Sequence, residues 1–174
     1  MCVKPRFGDV PSVIDAGSVQ DRCPGPEVGG PAIGSIRVAG TRVPITAFTY
    51  DRGGVMKPPG SNQVAGVSER HRSLDARHGT TVISWHVRYG EGCDGTLNVL
   101  LDLPVGGTFT VRSDTGPAVT YEVTDRVTVD KGDYPRDWFR LDGPRRLALL
   151  TPLLVVASTS RDRPDPAGAR GEPP

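Results

Sequence analysis

From about residue 32 to residue 160, short runs of β-branched and aromatic residues alternate with turns carrying glycine, proline, asparagine or aspartate. No apolar period of 3.6 residues persists, so a chain of this kind cannot stack helices and must pair strands. The runs Ile33–Val38, Val43–Thr49, Thr80–Val87, Thr108–Ser113, Val119–Val129 and Leu147–Val156 read as strands. Thr108–Arg112 and Val119–Val123, joined through Ser113-Asp114-Thr115-Gly116, read as a hairpin with Phe109, Val111, Val119, Tyr121 and Val123 on one face. Helical signals are confined to a turn around Ser73–Arg77 and another around Asn98–Leu101. Short strands with turns every 8–12 residues or so predict an all-β domain, either a closed barrel or a sandwich.

Composition sets the limits of that domain. Gly 22 and Pro 17 make up more than a fifth of the 174 residues, which fits a turn-rich fold. Residues 1–31 hold isolated apolar residues without a period and read as a disordered or linker arm. Residues 161–174 carry four prolines and six charges and read as a disordered tail. The folded domain is expected over 32–160. No apolar run reaches the roughly 18 residues of a spanning helix, and the first residues lack the apolar core of a signal peptide. Lys+Arg 21 against Asp+Glu 20 leaves +1, no basic excess for a nucleic-acid partner. The three cysteines, Cys2, Cys23 and Cys93, have no CxxC spacing, so no metal site or cofactor is indicated and at most one disulfide can form.

Two places could carry chemistry. His86 ends the apolar run Thr81-Val82-Ile83-Ser84-Trp85-His86-Val87 ahead of a glycine-rich loop. An imidazole there can act as general acid or base near neutral pH, although a packed, hydrogen-bonded histidine is the commoner occupant of such a position. His71 and His78 flank a polar stretch and read as solvated. The second place is Gly143-Pro144-Arg145-Arg146 followed by Leu147–Thr151, either a strand that delivers a hydroxyl at its tip or a central core strand.

The order of these motifs, LDARHGTTVISWHVRYGEGCDGTLNVLLDLPVGGTFTV, then TYEVTDRVTVDKGDYPRDWF, then GPRRLALLTP, resembles the catalytic domain of actinobacterial class F (class E/F-like) sortases over about Val43 to Thr151. The resemblance implies a closed β-barrel of about seven to eight short strands with one or two short helical turns. It also implies an extracytoplasmic, cell-surface cysteine transpeptidase that cleaves a C-terminal sorting signal. In that chemistry a thiolate attacks a threonine carbonyl, and an amine acceptor resolves the thioacyl intermediate. The implied partners are a sorting-signal peptide and that amine. Family members usually carry an N-terminal membrane anchor, and none is visible in this chain.

His86 matches the family histidine. The nucleophile position after Leu-x-Leu-x-Thr falls on Pro152, which has no nucleophilic atom and no N–H. The nearest match to the family arginine is Arg161, nine residues further on. The asparagine and apolar closing strand expected beyond it give way to the proline-rich tail, which predicts a degenerate or altered C-terminal end and an open barrel edge near 150–160. Trp85 stands where the family has glycine and is expected to crowd the cleft. Cys93, in the loop after His86, is the only cysteine inside the domain. The chain as written therefore reads as an inactive sortase, with a non-catalytic peptide-binding or interaction barrel as the alternative.

Overall fold

In the run Thr108–Ser113 every second side chain, Phe109, Val111 and Ser113, is buried while Thr108 and Arg112 are exposed. That period of two gives a sheet with one face toward a core. The same logic repeats along most of the chain, as a computed structural model shows for residues 30–88, 93–129, 133–151 and 154–161, the side chains of 154–157 excepted. It places β1 at Gly34–Val38, β2 at Thr41–Tyr50, β3 at Met56–Lys57, β4 at Ala65–Ser68 and β5 at Thr80–Ser84. Then come β6 at Thr108–Ser113, β7 at Ala118–Thr128, β8 at Arg146–Leu150 and β9 at Leu154–Ser160. Two 3-10 turns, Thr96–Leu101 and Arg136–Phe139, complete the described elements.

Eight strands run β1-β6-β7-β9-β8-β5-β4-β2, and β2 pairs back onto β1. This closes a barrel, which removes the free edges an open sheet would present. The short β3 extends β2 as an appendage. All neighbours are antiparallel except β2 with β4 and β5 with β8. The interior holds Ile36, Ile45, Ile83, Leu147, Leu149 and Tyr121, with the Phe109 and Tyr121 rings stacked at 5.8 Å. The outer sides of β5 and β8 are also covered, because Val82, Ala148 and Leu150 form a second cluster under Met56, Val129, Tyr134, Trp138 and Phe139. Among the described residues no helix is long and apolar enough to cross a membrane.

The hairpin with its five-residue apolar face is present as expected: Phe109 lies opposite Tyr121 and Val111 opposite Val119. Several expectations need correction. Leu147–Val156 is not one strand but two, β8 and β9, antiparallel with Leu150 opposite Val155. The closing strand is consequently not lost. β9 inserts between β7 and β8, so no open edge remains there, because Leu154-Val155-Val156-Ala157 is β-prone enough to fill the gap. Ser73–Arg77 forms the expected turn, with the Ala76 amide donating to the Ser73 carbonyl at 3.2 Å, but it is not helical. The arm over 1–31 and the tail over 161–174 fall, apart from residues 30, 31 and 161, outside the described residues.

Candidate functional site

The parallel pairing of β5 with β8 decides what meets at one rim of the barrel. Thr80 lies opposite Arg146 and Ser84 opposite Leu150, so the two strands run in step and leave the barrel together. The residues just beyond are Trp85 and His86 on one strand and Thr151 on the other. Trp85 does not crowd a cleft. It continues the inward alternation of Ile83, joins the barrel core and is 2% exposed, with its indole Nε1 lacking a hydrogen-bond partner. Two positions beyond the inward Ile83, Trp85 shares its face and so points into the barrel. His86 is half-buried and Thr151 is buried.

The backbone beside His86 is gripped from the following loop. The Gly95 amide donates to the Val87 carbonyl at 2.8 Å, and Asn98 Nδ2 donates to the same oxygen at 2.8 Å. Asn62 donates from Nδ2 to the Asp94 carbonyl at 2.9 Å and accepts at its backbone carbonyl from the Thr96 amide at 2.8 Å. Gly95 has an ordinary φ of −66°, yet a Cβ there would lie 2.0 Å from the His86 carbonyl oxygen. Glycine is required at this position by close approach and not by backbone conformation. These three positioning residues escaped sequence reasoning because their partners are backbone atoms with no residue signature; Gly95 after a histidine loop was the one visible hint.

The arginines sort by register. Arg126 of β7 lies opposite Val156 of β9, which lies opposite Leu149 of β8 and so in line with Ile83 of β5. Arg126 thus sits at the His86 end of the barrel, and its guanidinium donates to the carbonyls of Leu101 and Leu103. A β-bulge between Val123 and Asp125 shifts the alternation and turns Arg126 inward, which no local pattern announces. Arg161, by contrast, follows the end of β9 whose Thr159 pairs with Arg146, level with the start of β5. Its amide donates to the Thr120 carbonyl at 3.0 Å and its guanidinium is 2.6 Å from Glu122 Oε2. Six residues of strand rise, roughly 20 Å, separate that end from His86. The structure does not bring Arg161 and His86 together.

Pro152 lies outside the described residues; Thr151 is the last described residue before it. Cys93 is buried and disulfide-bonded, so it offers no thiolate, and Cys2 and Cys23 lie outside the described residues. His71, at the opposite end near the close of β4, is half-buried rather than solvated. It shares a 2.8 Å hydrogen bond with Ser68 Oγ, which also contacts Tyr50 Oη at 2.8 Å. Burial, and then the Arg70 charge, holds its pKa below the usual histidine value. His78 is exposed, as expected.

The closed eight-stranded barrel has counterparts among solved structures. The barrel is a sortase fold. Sortase A from Corynebacterium diphtheriae superposes with a TM-score of 0.55 at 19% identity, covering 78% of this chain and 63% of that one. Streptococcus agalactiae sortase C1 gives 0.58 at 20% identity, covering 77% and 69%. Listeria monocytogenes sortase A gives 0.52 at 14% identity, covering 75% and 88%. No family model matches the sequence, and no curated protein matches it. The chain spans less than two thirds of the Corynebacterium sortase, whereas it spans most of the Listeria sortase barrel.

Proposed function

We propose that this sortase-type barrel, resembling class F, binds a peptide of sorting-signal type at the His86 rim without performing the cysteine transpeptidase step. The observation that carries the reading is the parallel β5–β8 register, which brings the strand of His86 level with the strand leading through Thr151 into position 152. In the chemistry of a sortase that position supplies the thiolate that forms the thioacyl bond and later releases it to an amine. Here the residue is proline, no cysteine follows Cys93 in the sequence, and Cys93 itself is disulfide-bonded. An imidazole alone can shuttle a proton, but it has no sulfur to activate.

The short link between β8 and β9 supports the same reading. The family pattern has its arginine some ten to fifteen residues past the nucleophile, ahead of the closing strand. In this chain the closing strand begins at Leu154, so residues 151–153 are all that separates it from β8. What is missing is the stretch between nucleophile and closing strand, not the strand itself. A barrel kept whole while that stretch is dispensed with fits peptide binding better than turnover. Action at the cell surface, as the resemblance implies, belongs to this proposal.

The test incubates the protein with sorting-signal peptides and an amine acceptor and follows both cleavage and binding. Shifts of the His86 and Thr151 resonances without any cleaved peptide are expected. Thiol-dependent cleavage by the unaltered chain would overturn the proposal, and so would the absence of any peptide-induced shift.

A further inference from the structure

The outer face of β1, β2 and β6 carries a feature that peptide binding at the other rim does not use. Arg37 of β1 lies directly opposite Arg42 of β2, and on its other side opposite Thr110 of β6. Two residues along β1, Ser35 lies directly opposite Arg112 of β6. The inward neighbours Ile36, Val43 and Val111 are buried, so Arg37, Arg42 and Arg112 all stand on the outside, where they are exposed. They surround a cavity of about 400 Å³ whose floor is the small, buried Ser35, with Thr110 beside it and Asp114 at its edge.

Like charges directly opposite on antiparallel strands repel, and side chains so placed have Cβ atoms only about 5 Å apart. A folded protein normally relieves such a pair with a carboxylate. Among the described residues none of the ion pairs reaches Arg37, Arg42 or Arg112, and Asp114 forms none with them. The one side-chain hydrogen bond inside the group is Arg42 Nε donating to Ser35 Oγ at 3.3 Å. The cluster is not a by-product of a basic chain either, because the formal net charge is only +1. Three guanidinium groups from three adjacent strands, over two hydroxyls, present forked N–H donors and O–H donors around one concavity. That donor set matches the tetrahedral, multiply charged oxygens of a phosphate, which accept several charge-assisted hydrogen bonds at once.

We propose that this face binds a phosphate-class oxyanion, with Arg37, Arg42 and Arg112 as its cationic donors and Ser35 and Thr110 as the hydroxyls beneath. The anion supplies the negative charge that the opposed arginines lack. A free phosphate group and a phospholipid headgroup share this chemistry, and the experiment separates them.

The intact protein is titrated with inorganic phosphate against chloride at equal ionic strength, following amide shifts and melting temperature. In a second arm it is co-sedimented with vesicles containing phosphatidylglycerol or with neutral phosphatidylcholine vesicles. The Arg37→Gln/Arg112→Gln double variant is compared with Arg52→Gln/Arg77→Gln, which removes the same charge from exposed loop positions elsewhere. Binding of inorganic phosphate with shifts on β1, β2 and β6, weakened at least tenfold in the first double variant and unchanged in the second, supports a site for soluble phosphates. Binding only to phosphatidylglycerol vesicles with the same variant pattern supports a headgroup site. Without anion the first double variant should melt no lower than the parent, because it relieves repulsion, so a lost interaction is not a lost fold. No binding in either arm, or an equal loss in both double variants, overturns the proposal.

Discussion

Gly95→Ala separates the loop that holds His86 from the rest of the barrel. The new methyl would be built 2.0 Å from the His86 carbonyl oxygen, 3.0 Å from Asn98 Oδ1 and 3.1 Å from the His86 carbonyl carbon. The nearest atom belongs to backbone and cannot rotate away, so either the loop or the His86 strand end must move. Forcing a methyl into packed surroundings typically costs about 1–3 kcal/mol. If the movement also breaks the 2.8 Å hydrogen bond from the Gly95 amide to the Val87 carbonyl, about 1 kcal/mol more is lost. At about 3 °C per kcal/mol for a domain of this size, a total of about 2–4 kcal/mol lowers the melting temperature by roughly 6–12 °C. Because φ at Gly95 is −66°, none of that cost comes from backbone conformation. The comparison is Gly106→Ala, where φ is +86° and nothing lies within 4 Å, so only about 1–2 kcal/mol of conformational strain is expected. Thermal unfolding by circular dichroism measures the stabilities, and the His86 ring resonances report its position. Gly95→Ala should move those resonances and Gly106→Ala should not. A Gly95→Ala protein that melts with the parent and leaves the His86 ring unmoved would refute the reasoning.

Three further outcomes follow from the packing and charges. Leu149 is fully buried between the β5 and β9 rows, so Leu149→Ala should cost about 2–5 kcal/mol in chemical denaturation, with the barrel still formed at low denaturant. His71 has a folded-state pKa held below its unfolded value near 6.5, so the unfolded chain takes up the proton first as pH falls. Stability should therefore drop as pH falls below about 6.5, and melting curves of His71→Gln should show a smaller decrease between pH 7.5 and 5.5 than the parent. Arg161→Gln removes an exposed ion pair to Glu122 at the far end of the barrel. It should change stability by less than about 1 kcal/mol and leave peptide-induced shifts at His86 untouched, as isothermal denaturation and peptide titration would measure.

Much of the barrel was legible because alternation is a local signal. Thr108–Val123 spelled out its hairpin and its inward face, and the Asn98–Leu101 turn stood out for want of alternation. The misses have physical causes. Ala65–Ser68 is buried on both faces and therefore has no period of two to read. In the folded protein Gly66 is small because Phe48 and Pro59 pack against it, at 2.7 and 2.6 Å from where a Cβ would lie. Leu147–Val156 is apolar apart from Thr151-Pro152, and that proline, which cannot donate to a central ladder, was the one sign within it that the chain reverses after Leu150. Parallel pairing leaves no local trace at all, yet the β5–β8 pair is what puts His86 and Thr151 at one rim. Of the candidate site, the placement of His86 just beyond a strand end was legible in the sequence. Arg161 was chosen by counting along the chain, where the deciding quantity was register across β9, and that register sends it to the opposite end and brings Arg126 to the rim.

The central claim is that the His86 rim of this sortase-type barrel receives a peptide while position 152, a proline, supplies no thiolate. Intact-mass measurement after incubation with a sorting-signal peptide bearing a thiol-reactive carbonyl mimic at its threonine tests it most directly, on the parent, on Pro152→Cys and on Pro152→Cys/His86→Ala. The account predicts no adduct on the parent, a single stoichiometric adduct on Pro152→Cys, and at least a tenfold slower adduct when His86 is also replaced. An adduct on the parent, or a Pro152→Cys protein that melts with the parent and still captures no peptide, would contradict it.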